Sequence, residues 1–528
     1  MPLITENTVM DFYLNLIKEN HILFLREQKE LKKDVITHIR KLQKDDDIHE
    51  KIRTAKELWK VLFEAAMIYI DPDKQGFDKL FEYFDQFVDF EELIFASEPY
   101  YRDHTLHCLW VYFLGEYIFH NPDFSHLFRD KGKVIKDNIE FRNALRTLDD
   151  PSLFGDFYIF LENIISIDKL DDSIRCVIAL AHDLGYPLRK IQKINTEIAK
   201  ILPFFSISEF SKFSFEYETI QQSFIEHLLE LFATEISLTI DNSELNYQEQ
   251  QLIATAYRRI FDISTMISNG IIPDEKILQE LKEYLDSLGE NERFLLRRIF
   301  LGKGRITKSL SQSFRYANDF EDYKHGIMSS YLLMKMLNSF SNIHLTYSNP
   351  DSIQLEGMDW ASIHGKLRIL KAMADHTSPG FQITDFEGRD FYSSSLILVD
   401  EIEDFSRISR ANQYRTFINQ FCKCELDMID NCLCVSFIFD DENIEGLDPS
   451  RYFKDKCRKF LRVFDIPNLT DNIRLKIRVV GKLKTDKNLY ELQIARNHVK
   501  ITINDEEIKD MNKYLKSIEF YRSPIKVK

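Results

Sequence analysis

Apolar residues recur at spacings of three and four through most of this chain, and that period restricts it to helices more firmly than any other feature. Phe12, Leu16, Ile22 and Leu23 follow the pattern near the N-terminus, as do Leu58, Leu62 and Ala66 further on. Turn-forming residues are scarce: 16 Gly and 13 Pro in 528 residues suit long helices with few tight turns better than an all-β fold. A hydrophobic fraction of 44% is enough for a sizeable core without disulfide staples. The charged segment from Arg26 to Lys56 reads as a solvated helical face, since Asp45, Asp46 and Asp47 interrupt any basic arm. Helices continue to about Cys424, with turn signals at Asn121-Pro122-Asp123, Asp149-Asp150-Pro151 and Asn349-Pro350-Asp351, and with one helix expected around Ile220 to Ile236. Beyond Asp430 the texture changes. Cys432–Phe439, Ile473–Val480, Leu489–Ile494 and Val499–Ile503 read as strands, with a helix after Pro449. The expected organisation is a mainly α protein: an N-terminal helical region (1–95), a helical bundle (96–425) with a helical insertion at about 188–320, and a small C-terminal α+β domain (426–528).

A net charge of -16 argues against general nucleic-acid coating, because phosphate backbones need a basic surface. Seven cysteines without dense spacing fit a reducing cytosol rather than a secreted scaffold. No signal-peptide pattern and no membrane-length apolar run occurs, so the expected location is cytoplasmic, with no membrane partner. Cys422-Lys423-Cys424 and Cys432-Leu433-Cys434 lack the usual zinc spacing and are read as packing residues. His120, His126, His227, His344 and His498 stand outside any motif.

Five segments carry chemistry. Tyr101-Arg102-Asp103-His104-Thr105-Leu106-His107 follows Pro99, where a helix is expected to begin, and places His104 and His107 on one face. Ile178-Ala179-Leu180-Ala181-His182-Asp183-Leu184-Gly185-Tyr186-Pro187 ends an apolar helix in His-Asp, with Gly185 and Pro187 as the stop. Asp322-Tyr323-Lys324-His325-Gly326-Ile327 opens a helix expected to reach Phe340. Lys371-Ala372-Met373-Ala374-Asp375-His376 closes another that is entered near Ala361. Asp400 follows Leu396, Ile397 and Val399, and a carboxylate there needs a partner if buried.

The ordered set His107, His182, Asp183, His325, His376 and Asp400 resembles the HD superfamily of metal-dependent phosphohydrolases over roughly His104 to Arg407. The resemblance implies an HD-type helical bundle and one or two divalent ions (Mn, Fe, Ni, Zn or Mg) bound by those six residues, with His364 as competitor for a second-metal position and Asp183 as bridge. It implies water activated by metal, with His104 as proton donor to the leaving oxygen, and Arg102, Lys324, Arg189 and Lys190 as phosphate contacts. Gly185-Tyr186-Pro187 matches the HD-GYP tripeptide in spelling only, because the His-His-Glu element that precedes it in that class is missing. The Pro-Phe-Gly-His continuation of the deoxynucleoside triphosphate triphosphohydrolases is missing too. The expected activity is hydrolysis of a small phosphate ester, of a nucleotide or cyclic nucleotide, by a chain that can form homo-oligomers. The alternative is a nucleotide-binding regulatory or scaffold protein that keeps the HD fold with little catalysis.

Overall fold

The computed structural model describes residues 3–26, 28–95, 100–124, 127, 170–206, 219–239, 246–248, 251–252, 255, 276, 279–280, 283–284, 287–289, 292, 303–343, 358–386, 390–404, 408–409, 422–442 and 447–516. The expectations at Pro99, His126, Asp149–Pro151, His344 and Asn349–Asp351 lie outside them, as does much of the middle of the 188–320 insertion. The protein is mainly helical, with a seven-stranded sheet toward its C-terminus.

Helix α6 (His104–His120) is the hub. Every residue from His104 to Phe119 is buried, which makes this helix apolar all round and sets it inside the bundle. Its start is fixed by Asp103, whose carboxylate accepts the Leu106 amide at 2.9 Å; this N-cap places the first turn several residues later than Pro99 suggests. Beside it lies α7 (170–181), buried along its whole described length. Around this pair wrap α1 (Glu6–Lys18), α2 (Leu23–Arg26), α3 (Lys29–Leu42), α4 (Ile48–Met67) and α5 (Phe77–Phe95). The Tyr13 and Tyr112 hydroxyls meet at 3.0 Å, and Trp59 Nε1 donates to the Leu180 carbonyl at 2.8 Å. The N-terminal helices therefore share one continuous core with the bundle. The charged stretch at 26–56 is two helices rather than one face. Asp47 accepts the His49 and Glu50 amides and starts α4, while Val35, Ile39 and Leu42 bury the inner side of α3.

The rest of the bundle comprises α8 (Tyr186–Ile201), α9 (Thr219–Ala233), α10 (Leu310–Glu321), α11 (His325–Met336), α12 (Met358–Asp375) and α13 (Phe391–Ile402). Helix α9 stops three residues short of Ile236. The alternating, β-rich run Thr234–Thr239 instead pairs antiparallel with Lys303–Lys308. Helix α11 ends at Met336 rather than Phe340, and a separate short turn, Asn338–Ser341, follows. Pro187 does more than stop α7: it occupies the first turn of α8, where its missing N–H removes no helical bond. No helix among the described residues is long and apolar enough to cross a membrane.

Besides the two small pairs β2 (Tyr100–Tyr101) with β5 (Ile408–Ser409) and β3 (Thr234–Thr239) with β4 (Lys303–Lys308), the main sheet runs β1 (Leu3–Ile4), β6 (Lys423–Ile429), β7 (Cys432–Phe439), β8 (Leu475–Gly481), β9 (Leu489–Ala495), β10 (His498–Ile503) and β11 (Glu506–Glu507) in that spatial order. The first two members extend the expected C-terminal unit. One strand precedes Asp430, and Leu3 pairs with Glu425 across nearly the whole sequence. Only β7 and β8 are parallel, and α14 (Pro449–Val463) makes the crossover between them. Tyr452 of α14 packs on Phe437 and Phe439, with ring centroids 5.4 and 5.0 Å away. Lys456 of the same helix reaches into the bundle, where its Nζ lies 2.6 Å from the Asp404 carboxylate.

Candidate metal centre

Four helix ends converge beside the start of α6. His107 stands in the first turn of α6, completely buried. His182 and Asp183 follow the last residue of α7 in a turn. Two glycines let the neighbouring helices come this close. A Cβ on Gly185 would lie 2.4 Å from the His325 carbonyl oxygen, and one on Gly326 would lie 2.2 Å from the Met373 carbonyl oxygen. The Ser329 hydroxyl ties the crossing, donating to the His182 carbonyl at 2.6 Å and accepting the Gly185 amide at 2.7 Å. His325 is the first residue of α11, His376 is the residue just past α12, and Asp400 lies in the last turn of α13. Residues separated by almost three hundred positions thus meet at one point.

The donor atoms fall into two triads. His107, His182 and Asp400 form one and Asp183, His325 and His376 the other, each with its ligand atoms within 4.8 Å of one another. Asp183 lies between them. Its Oδ2 faces His182 Nε2 at 3.3 Å and His107 Nε2 at 3.7 Å, while its Oδ1 faces His325 Nε2 at 3.2 Å and His376 Nε2 at 3.6 Å. Asp400 Oδ1 is 2.9 Å from His107 Nε2.

Three of the four rings are held by their other nitrogen. His107 Nδ1 is 2.6 Å from Glu403 Oε2, His182 Nδ1 donates to the Ala179 carbonyl at 2.8 Å, and His376 Nδ1 donates to the Met373 carbonyl at 2.5 Å. A carbonyl accepts only, so the proton sits on Nδ1 and Nε2 turns inward, as in metal-ligating histidines. The buried Nε2 atoms of His182 and His376 have no hydrogen-bond partner. A buried polar nitrogen in that condition is costly unless something else is to meet it. The donor set therefore fits a divalent ion: imidazole and carboxylate, three orienting contacts, and two orphaned nitrogens aimed at one carboxylate. A third grouping, Cys108 with His182 and Asp183, fits less well. Burial raises the Cys108 pKa and keeps the thiol neutral, whereas a ligand must be thiolate.

Electrostatics favour positive charge at the centre. Burial works against ionising Asp183, but the surrounding imidazoles outweigh it and hold its pKa well below the ordinary carboxylate value. Burial likewise opposes charge on His182, yet Asp183 raises its pKa well above normal. The field that draws a proton to that nitrogen also draws a cation. His325 is displaced the other way, lowered to about 4 by burial, so it is neutral and able to ligate at pH 7. Asp400 is held well below its usual value, with burial overcome by the His107 contact and Arg102.

Arg102 bounds the site. Pairing of Tyr100–Tyr101 with Ile408–Ser409 carries it to the end of α13, where its Nη1 reaches Asp400 Oδ1 at 3.1 Å and its Nη2 the Glu403 carbonyl at 2.6 Å and Asp404 Oδ1 at 3.3 Å. Four acceptor oxygens hold the guanidinium, which ties the Asp400 and Asp404 carboxylates together at the edge of the site. His104 sits one turn before His107 with Nδ1 2.6 Å from Glu91 Oε2 and its ring 4.1 Å from that of Tyr186. Lys324 caps α11 and pairs with Asp322 at 3.2 Å; Arg189 is exposed and donates to the Asp322 carbonyl at 3.4 Å. Neither belongs to the cluster. Lys190 is buried with its Nζ 4.8 Å from the Tyr186 ring centroid. The side chain of His364 lies outside the described residues.

Sequence reasoning missed Glu403, Glu91, Asp404 and Lys456 as partners. Glu403 had a usable signal, three positions after Asp400 and so on the same face of a helix end. The others reach the site only through tertiary packing. No known protein family, curated protein or solved structure matches this chain.

Proposed function

We propose that this chain is an HD-type metal-dependent phosphohydrolase acting on the phosphate ester of a nucleotide or cyclic nucleotide. One observation carries the reading: Asp183 turns one oxygen toward each set of imidazoles, and the buried Nε2 atoms of His182 and His376 face it without hydrogen bonds. In this reading His107, His182 and Asp400 hold one ion, His325 and His376 hold a second, and Asp183 serves both. Divalent ions supply Lewis acidity and lower the pKa of water, which is the chemistry phosphate-ester hydrolysis requires. Glu403 keeps a proton on His107 Nδ1 and so presents Nε2 to the site. Arg102 fixes the carboxylate of Asp400. In this proposal His104, held by Glu91, carries a proton to the leaving oxygen. The net charge of -16 favours small substrates over polynucleotides.

Metal analysis of purified protein reconstituted with Mn²⁺, Fe²⁺, Ni²⁺ or Zn²⁺ tests the proposal. About two equivalents are expected. Hydrolysis of bis(p-nitrophenyl) phosphate, followed by a screen of nucleotides and cyclic nucleotides, is expected to vanish in His182→Ala and Asp183→Ala. A wild-type protein that takes up no metal, or variants that retain full hydrolysis, would sink the reading.

A further inference from the structure

A cavity of about 340 Å³ lies beside the α12 C-terminus, lined from α10, α12, α13, the segment at 380–384, Thr234 and Asp465. None of its lining residues is one of the six clustered side chains. Its size falls in the range of small-molecule sites. The lining is mixed in charge, with Arg315, Arg368 and Lys371 balanced by Asp375, Asp390 and Asp465. Arg368 and Lys371 stand three residues apart on α12 and so share one face. Arg315 approaches from α10, and Tyr316, Tyr392 and Phe381 add aromatic wall.

The floor is built. Asp375, buried, receives Arg315 Nη2 at 2.9 Å and the Tyr316 hydroxyl at 2.8 Å on Oδ1, and the Ser393 hydroxyl at 2.8 Å on Oδ2. This fixes Arg315 with its guanidinium 4.3 Å from the Tyr316 ring centroid. Its Nε remains buried without a hydrogen-bond partner. A buried donor left in that state calls for an acceptor. Lys371 donates to the Thr234 carbonyl at the edge of the same cavity, and Arg368 lies over Tyr392 at 5.7 Å.

We infer that this cavity is a binding site for a nucleoside monophosphate, distinct from the candidate metal centre. A phosphate suits the three basic side chains, which offer charge-assisted donors. A base has the partly exposed Phe381 ring on the wall to stack on, while Tyr316 is already covered by Arg315 and Phe232. Exocyclic amines and ribose hydroxyls are donors that match Asp390 and Asp465 as acceptors.

The inference goes beyond the proposed hydrolysis and is tested without it. Isothermal titration calorimetry of the full chain in EDTA, with AMP, GMP and inorganic phosphate as probes, is expected to show saturable one-to-one binding of AMP or GMP and much weaker binding of phosphate. Arg368→Glu should weaken it about tenfold or more, and so should Arg368→Gln, which removes the charge and the guanidinium donors without adding a negative charge. Circular dichroism checks that each is folded. His182→Ala should bind as wild type does, which separates this cavity from the metal centre. Absence of saturable binding by either nucleotide overturns the inference. So does phosphate binding as tightly as the nucleotides, or a folded Arg368 variant that binds normally.

Discussion

Helices α6 and α7 carry a cluster of carboxylates and imidazoles at each end, and the two clusters differ in what neutralises them. At one end are His107, His182 and Asp183. About 14 Å along α6, nine residues on, come Glu116 and then His120, facing Asp171, Asp172 and Arg175 at the start of α7. Both ends satisfy the spacing of a possible ion site, since Glu116, His120 and Asp172 also bring ligand atoms within 4.8 Å. At this far end, however, a cation is already part of the chain. Arg175 donates Nε to Glu116 at 2.8 Å, Nη2 to Asp172 at 2.6 Å and Nη1 to Asp171, and His120 lies 3.0 Å from Glu116. At the near end two imidazole nitrogens point at a carboxylate with no hydrogen bond. The lesson is that residue type and spacing do not separate a binding site from a structural ion network. Nor does a buried nitrogen without a hydrogen bond, since His120 Nε2 is one too; what differs is that Arg175 reaches every carboxylate of the far set, whereas Asp183 faces four imidazoles.

The largest effect expected from breaking this comparison is on stability at the far end. Arg175→Met strands three buried carboxylates and should cost about 3–5 kcal/mol in urea unfolding. Metal analysis of the same variant sharpens the contrast. If the guanidinium is what excludes an ion, its loss should open the Glu116–His120–Asp172 set to one more equivalent; a drop in metal content at equal folded fraction would mean the two ends are not independent.

Next in size is Glu403→Gln. It removes the charge that orients His107 and should weaken metal affinity about 10–100-fold, read by competition with a chelator, with little change in the unfolding midpoint. Equal affinity would remove Glu403 from the site.

The smallest effect is one of pH. Burial, reinforced by Glu91, raises the pKa of the capping Asp103 to about 7. Its unfolded value is about 3.9, so this group contributes stability below about pH 3.9 that is lost as pH rises through 7. Glu116 is the mirror case: Arg175 overcomes burial and lowers it to about 2. Its contribution is present above about pH 4.3 and lost as pH falls toward 2. Asp103→Asn, which keeps the capping oxygen, should therefore raise the melting temperature at pH 8 by an amount worth about 1 kcal/mol and leave it unchanged below pH 4. A loss of stability at pH 8 would show that the ionised form is the one the fold uses.

Much of this was legible residue by residue. The helical class followed from apolar period, the end of α7 from His-Asp-Leu-Gly, and the C-terminal strands from alternating β-branched runs. His107, His182, Asp183, His325, His376 and Asp400 each stand at a helix end, where local sequence is most informative, and the structure brings all six together. Boundaries were less legible. Asp103, rather than Pro99, starts α6 because a side-chain cap satisfies an amide that proline cannot. The α9 helix yields to a strand at Thr234 because Lys303–Lys308 supplies a partner, and pairing is not a local property.

What the sequence by itself determined is therefore periodic or punctual: which stretches are helices, which buried faces they have, and which imidazoles and carboxylates sit at their ends. Only the tertiary structure decided which charges meet. It brought Leu3 into the C-terminal sheet, carried Lys456 to Asp404, gave Arg175 to one cluster and left Nε2 of His182 and His376 unmatched in the other. The reason is physical. Helix propensity and capping act over a few residues, whereas neutralising a buried charge requires a partner from wherever the chain's packing delivers one.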